Sequence, residues 1–135
     1  MDSLIIKKIL KTAQQSLDKL QAVYLFGSYA YNMERSDSDI DLAFFGENKY
    51  SNETMYNLSL KLSEQLNKDF DCIDLQSANN VFAVHIIDTG KTIFNGDKNA
   101  VSNFEMRSLS QYAKLNEERK DIIQDILVRG SIYGK

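Results

Sequence analysis

The sequence predicts an α/β fold, in which helices flank a small mixed β-sheet and a long helix ends the chain. Short runs rich in β-branched and aromatic residues alternate with longer segments whose apolar residues recur at helical spacing. At 135 residues and 43% hydrophobic content, the chain can bury one core of ordinary size. It has no proline and its six glycines are scattered, so we expect a single domain over residues 1–135.

The first half should form a helix, two strands and a second helix. After an Asp2-Ser3 start, the first helix carries apolar residues at helical spacing: Leu4, Ile5, Ile9, Ala13, Leu17 and Leu20. The runs 22–26 and 39–45 favour strands, with a polar loop over 32–38 between them. The second helix is predicted over 52–66, with Met55, Leu58, Leu62 and Leu66 on one face.

The second half continues the alternation. A strand is predicted over 70–75, a short helix through 81–87 that ends near Gly90, and a strand over 92–94 before the Asn95-Gly96 turn. Apolar residues from 101 to 127 then predict a helix over about 99–128. Periodicity leaves open whether this last helix packs on its own sheet or docks a partner.

Chemistry is indicated where the first strand ends. Gly27 lets the backbone approach a ligand, Ser28 can cap a following helix, and the free N–H groups of such a turn can point at a phosphate. Many strand-to-helix junctions carry Gly-Ser merely as a cap, so the pair alone is a weak signal. Ten residues later comes Asp39-Ile40-Asp41.

The two aspartates lie two residues apart, so in a strand they project from the same face. Neighbouring carboxylates repel, and a bound cation relieves that repulsion. Mg²⁺ suits them, because it prefers oxygen ligands and often bridges carboxylates to substrate phosphates. The alternative is a solvated turn at the strand entrance, for which Ser-Asp-Ser-Asp is ordinary composition. The upstream Gly-Ser turn favours the metal site.

Together, the Gly27-Ser28 turn, the ten-residue interval and the Asp39-x-Asp41 pair resemble the signature of minimal nucleotidyltransferases of the DNA polymerase β superfamily. The resemblance covers nearly the whole chain, since residues 70–75 look like the family's third-carboxylate strand and the long last helix is also similar. More narrowly, the chain resembles the nucleotidyltransferase antitoxins of HEPN/MNT toxin–antitoxin systems.

That resemblance implies an enzyme that transfers AMP from ATP, with Mg²⁺, to a tyrosine of a HEPN ribonuclease toxin. Gly27 and Ser28 would hold the β and γ phosphates, and Asp39 and Asp41 would hold the metal. A third carboxylate would complete the metal site or accept a proton. Asp71 and Asp74 have opposite strand parity, so at most one of them shares the face of Asp41. We predict Asp71, because it opens its strand as the family pattern does.

One departure from the family concerns the segment after the turn. Many relatives continue with Arg-Gly and an acidic residue, whereas this chain has Tyr31-Asn32-Met33-Glu34-Arg35. A cation is therefore absent from its usual place, and Arg35 is the candidate replacement.

Charge and cysteine usage narrow the function classes. The net charge of −3 argues against a template-directed polymerase, and direct binding of nucleic acid is not expected. We interpret Lys114, Arg119, Lys120 and Arg129 as a solvated helical face. Cys72 lies in an apolar run and is expected to be a buried small hydrophobe. With no signal peptide and no spanning segment in the sequence, the expected location is the cytoplasm.

Two other functions compete with the antitoxin enzyme. A small-molecule nucleotidyltransferase, such as one acting on aminoglycosides, would use the same chemistry, but so short a chain has little material for a dedicated acceptor pocket. An antitoxin that only covers its toxin would not need the carboxylates, and all three are present.

Overall fold

The structure is a computed structural model that describes residues 1–30 and 38–133, with residues 129–133 described by their backbone alone. The described residues form a four-stranded mixed sheet in the order β3-β2-β1-β4. Its strands are β1 (Leu20–Phe26), β2 (Ile40–Gly46), β3 (Phe70–Asp74) and β4 (Lys91–Asn95). β1 runs antiparallel to β2 and to β4, while β2 and β3 are parallel. The predicted α/β class with a small mixed sheet is confirmed.

Four α-helices are described: α1 (Ser3–Ser16), α2 (Asn52–Leu66), α3 (Asn80–Thr89) and α4 (Lys98–Tyr133). The first three begin at side-chain caps, in which Asp2, Ser51 and Asn79 accept backbone N–H bonds of the first turn. α2 ends at Leu66, and the left-handed backbone of the next residue, Asn67, turns the chain towards β3. The sequence predicted the bounds of α2 correctly.

The sheet buries a core on each face. The side chains on one face, such as those of Val23, Leu42 and Phe70, pack with α1 and α2. The side chains on the other face, such as those of Tyr24 and Phe45, pack with α3 and the start of α4. Burial on both faces explains why the strand segments are nearly continuous apolar runs.

Several boundaries were predicted wrongly. α1 ends at Ser16, because Leu17 is already extended and Lys19 turns the chain through a positive φ; Leu20 therefore belongs to β1. Leu17 is nevertheless buried, so its apolar character reflects the core rather than the helix. β2 begins at Ile40, which leaves Asp39 just ahead of the strand. β3 ends at Asp74, since Leu75–Ser77 form a 3₁₀ turn.

α4 divides into two parts. Its first turns pack on the sheet, where Val101 is buried and Phe104 stacks on Phe45 at 4.5 Å between ring centroids. Asn80 of α3 also donates a hydrogen bond to the carbonyl oxygen of Ser108. The later turns expose their apolar side chains, including Ile122 and Leu127. No helix among the described residues has the length and apolar character needed to cross a membrane.

Candidate active site

The candidate site begins where β1 turns sharply at Gly27. Its φ of 73° lies in the left-handed region, which glycine adopts at little cost. A Cβ at this position would overlap with Oδ2 of Asp41, so only glycine allows the turn and the carboxylate to lie this close. Gly27–Tyr29 form a 3₁₀ turn with no side-chain cap. Ser28 therefore lies within the turn, and a helix that it could cap would fall in residues 31–37, which lie outside the described residues.

Asp41 and Asp71 lie on neighbouring strands in matching positions. In the parallel ladder between β2 and β3, Asp41 pairs with Asp71, so both side chains leave the same face of the sheet. Asp41 also pairs with Phe26, the residue before Gly27, in the antiparallel ladder on its other side. Asp41 on β2 thus lies between Asp71 on β3 and the end of β1, which Gly27 follows directly.

The electrostatics of Asp41 reflect this crowding. Burial, and then the negative charges of Asp71 and Asp39, raise the pKa of Asp41 to about 6. Asp71 and Asp39 are both exposed. Asp41 therefore lies within electrostatic reach of two further carboxylates, both of which are open to solvent.

The alternative third carboxylate, Asp74, points elsewhere. It is 6% exposed and accepts a 2.6 Å hydrogen bond from the hydroxyl of Ser77. It has the parity of Phe70 and Cys72, whose side chains join the core beneath α1 and α2. Of the two candidates, Asp71 is thus the one brought next to Asp41.

The donor set fits a Mg²⁺ ion that is shared with a substrate. Among the described residues, no three Asp, Glu, His or Cys side chains are gathered closely enough to hold a metal by themselves. Mg²⁺ commonly takes one or two carboxylates and completes its octahedron with water and phosphate oxygens. The Asp41–Asp71 pair, with Asp39 nearby, supplies ligands of that kind. Arg35, the candidate replacement for the absent cation, lies outside the described residues.

A cavity of about 620 Å³ opens directly beside Asp71. It runs along the outer edge of β3, with Tyr56 and Leu60 of α2 on one side and Phe82 of α3 on the other. The ring of Phe82 meets that of Phe26 edge to face at 5.7 Å. The sequence predicted helices here but gave no sign of a cavity, because Tyr56 and Leu60 fall on a helix face beside the predicted core positions.

Comparison with known families agrees with this geometry. The family model described as "Polymerase beta, Nucleotidyltransferase" matches residues 6–99, which include Gly27, Asp41 and Asp71. The chain belongs to the polymerase β nucleotidyltransferase family. The family predicted from the signature is thus confirmed.

One curated relative of this nucleotidyltransferase is the protein adenylyltransferase MntA of Shewanella oneidensis. The two are 34% identical over 127 residues, which span 94% of this chain and 91% of the relative.

Solved structures of toxin–antitoxin complexes have the same fold. One is a toxin–antitoxin with AMP-PNP, whose matched chain is 34% identical with a TM-score of 0.79; the match covers 90% of this nucleotidyltransferase and 98% of that chain. Another is a tri-AMPylated Shewanella oneidensis HEPN toxin in complex with its MNT antitoxin, at 33% identity and a TM-score of 0.76. That match covers 94% of this chain and 99% of the other.

The thiol of Cys72 is not a nucleophile. It is 7% exposed, and burial raises the pKa of its thiol to about 12, so it stays protonated and unreactive near neutral pH. This confirms the prediction of a buried small hydrophobe.

Proposed function

We propose that this nucleotidyltransferase is the antitoxin of a HEPN toxin and neutralises it by transferring AMP from ATP to a tyrosine hydroxyl. The observation that carries the proposal is the position of Asp41 on β2, between Asp71 on β3 and Gly27 directly after β1. The turn at Gly27 would bind the phosphates of ATP. The neighbouring carboxylates would bind the metal and accept the proton of the attacking hydroxyl.

The relatives support the nucleotide and the partner. A relative of similar length is a protein adenylyltransferase, and solved neighbours include a toxin–antitoxin with AMP-PNP and an antitoxin in complex with a tri-AMPylated HEPN toxin. Since ATP is an abundant solute inside cells, we propose the cytoplasm as the place of the reaction.

Each residue has a role in the proposed reaction. The Gly27-Ser28 turn holds the β and γ phosphates, because the glycine allows close backbone approach and turn N–H groups bind anions. Asp39 and Asp41 are the proposed Mg²⁺ ligands, and Asp71 completes their site. When bound, Mg²⁺ would neutralise phosphate charge and orient the triphosphate.

The transfer itself is a displacement at the α-phosphorus. The acceptor oxygen forms the new P–O bond, the bond between the α-phosphorus and the bridging oxygen breaks, and pyrophosphate leaves with that bond's electron pair. The exposed carboxylate of Asp71 is the proposed acceptor of the proton of the attacking hydroxyl. An added adenylyl group would then hinder RNA binding by the toxin through its bulk and its negative charge.

The intact mass of a co-expressed HEPN toxin tests this proposal. We expect the toxin to be heavier by one or more AMP units with the wild-type chain, and unmodified with the Asp39→Asn/Asp41→Asn variant. A matched control, Asp88→Asn/Asp121→Asn, removes two exposed carboxylates of α3 and α4 and should leave the modification intact. A toxin that is bound and silenced without any added mass would instead make the chain a blocking antitoxin.

A further inference from the structure

The cavity beside Asp71 is too long to serve a metal site alone. Its walls include every residue of β3, and it reaches Asn52 at the start of α2 and Ser77 beyond the end of β3. At about 3.3 Å per residue, the strand alone spans about 16 Å. Asp71 lines the cavity, whereas Gly27, Ser28 and Asp41 do not. The cavity therefore extends from the site on the side away from the phosphate-binding turn.

The geometry of the proposed reaction indicates that the acceptor approaches from the side of Asp41 on which the cavity lies. In phosphoryl transfer the attacking and leaving oxygens lie roughly in line through phosphorus. With pyrophosphate over the Gly27-Ser28 turn at the end of β1, the acceptor must approach from the opposite side of Asp41. That side is β3, where Asp71 and the cavity lie.

We propose that this cavity is the acceptor groove, which holds the segment of the toxin that carries the hydroxyl to be modified. The inference rests on the proposed function and adds the surface that selects the acceptor. Its occupant is an extended stretch of the partner protein, apolar in part and positively charged.

The apolar part follows from α2. Tyr56 and Leu60 are 64% and 51% exposed, although both line the cavity. They lie four residues apart, so they form one stripe along the groove. Neither is needed for the metal site or the phosphates, and the stripe suits apolar side chains of a bound segment.

The charge follows from the groove's ionisable side chains. Asp69, Asp71 and Asp74 line it, and none of the lysines and arginines that the structure describes does. A segment that carries lysine or arginine complements this charge, whereas an acidic one is repelled. A protein that binds RNA commonly presents such basic residues near its RNA site.

The strand edge limits how the segment binds. Ile40 donates its N–H to the carbonyl of Asp69. In the parallel ladder, the backbone N–H and C=O groups of the odd-numbered residues of β3 therefore point towards β2, and those of the even-numbered residues point towards the groove. Among the latter, the N–H of Cys72 already donates to the hydroxyl of Ser59 at 3.2 Å. A complete added strand would compete with that bond, so we assign the recognition mainly to side chains.

Steady-state transfer to the toxin tests the groove. We expect Tyr56→Ala/Leu60→Ala to raise KM for the toxin about tenfold, with kcat and the affinity for a fluorescent ATP analogue little changed. The control Met106→Ala/Leu109→Ala removes two apolar side chains of α4 that are similarly exposed but lie outside the groove, and it should leave KM as in wild type. Circular dichroism verifies that both variants are folded.

The competing docking surface is the exposed apolar end of α4, which Ile122→Ala/Ile126→Ala removes. An unchanged KM for the toxin in the groove variant, or a rise in KM only in this α4 variant, would overturn the inference. Transfer of AMP by the wild-type chain would still uphold the proposed function. A wild-type chain that transfers no AMP would refute the proposed function itself.

A photo-crosslinker then locates the acceptor directly. With p-benzoylphenylalanine at position 60, we expect crosslinks to the toxin segment that carries the AMPylated residue; at position 109 we expect none there. Crosslinks from position 60 to a distant part of the toxin would contradict the groove.

Discussion

Asp41 of β2 and Asp71 of β3 are paired residues of a parallel ladder, separated by 30 positions in sequence and adjacent on one face of the sheet. The two carboxylates repel each other near the end of β1, where Gly27 has no side chain to separate the backbone from Asp41. A folded protein tolerates such repulsion where a cation or a substrate group later relieves it.

Asp41→Asn should stabilise the metal-free protein near neutral pH. The pKa of Asp41 rises from 3.8 to about 6 on folding, so the folded state holds this proton more tightly than the unfolded state does. Stability is therefore lost as pH rises from about 4 to about 6, and the loss persists above that range. Two pKa units correspond to about 3 kcal/mol, which solvent screening of this partly exposed carboxyl reduces to about 1 kcal/mol.

Thermal unfolding in EDTA measures this effect. At pH 7.5 the variant's Tm should exceed that of wild type by about 3 °C. The difference should vanish at pH 4, where the wild-type carboxyl is protonated. Asp88→Asn serves as the control, and an equal Tm gain at both pH values would contradict the assigned cause.

Mg²⁺ should stabilise the wild-type protein, because its charge relieves the repulsion around Asp41 and it binds only the folded site. We expect millimolar Mg²⁺ to raise Tm at pH 7.5 and to do so less at pH 5, where protons compete for Asp41. Asp39→Asn/Asp41→Asn should abolish the shift, and Na⁺ at equal ionic strength should not reproduce it. A shift that survives in the double variant would move the metal site elsewhere.

The two candidates for the third carboxylate should respond differently to substitution. Asp71→Asn should reduce kcat for AMP transfer by about 100-fold or more, as expected for loss of a metal ligand or a general base. Asp74→Asn perturbs a buried carboxyl bonded to Ser77, so its main effect should be on the free energy of unfolding. Urea unfolding and single-turnover transfer separate these outcomes, and the reverse pattern would make Asp74 the third carboxylate.

Gly27→Ala should abolish transfer and lower stability by about 1–2 kcal/mol. The new Cβ strains a backbone with φ of 73° and overlaps with the carboxylate of Asp41. Asn67→Ala is the matched control, because it also places alanine at a positive φ but lies at the end of α2. It should lose some stability and keep its activity; equal activity loss in both variants would point to general unfolding.

Much of this protein was readable from local sequence. The bounds of α2 follow from the Ser51 cap and an apolar face with helical spacing. Gly27, Ser28, Asp39 and Asp41 could be grouped because they lie at facing ends of two consecutive, paired strands, so their spacing constrains their geometry. The strand parity of Asp71 and Asp74 also reduced the third carboxylate to one of two.

Tertiary structure decided what local spacing does not constrain. Whether Asp71 or Asp74 meets Asp41 depends on the register of β3 against β2, which the packing of both sheet faces sets. The same packing buries Leu17 outside any helix and leaves the end of α4 exposed. The groove beside Asp71 exists only because α2 and α3 flank an edge strand. Residues close in sequence therefore indicated the candidate reaction centre, whereas its proposed third carboxylate and the groove beside it depend on contacts between distant segments, which only the folded chain brings together.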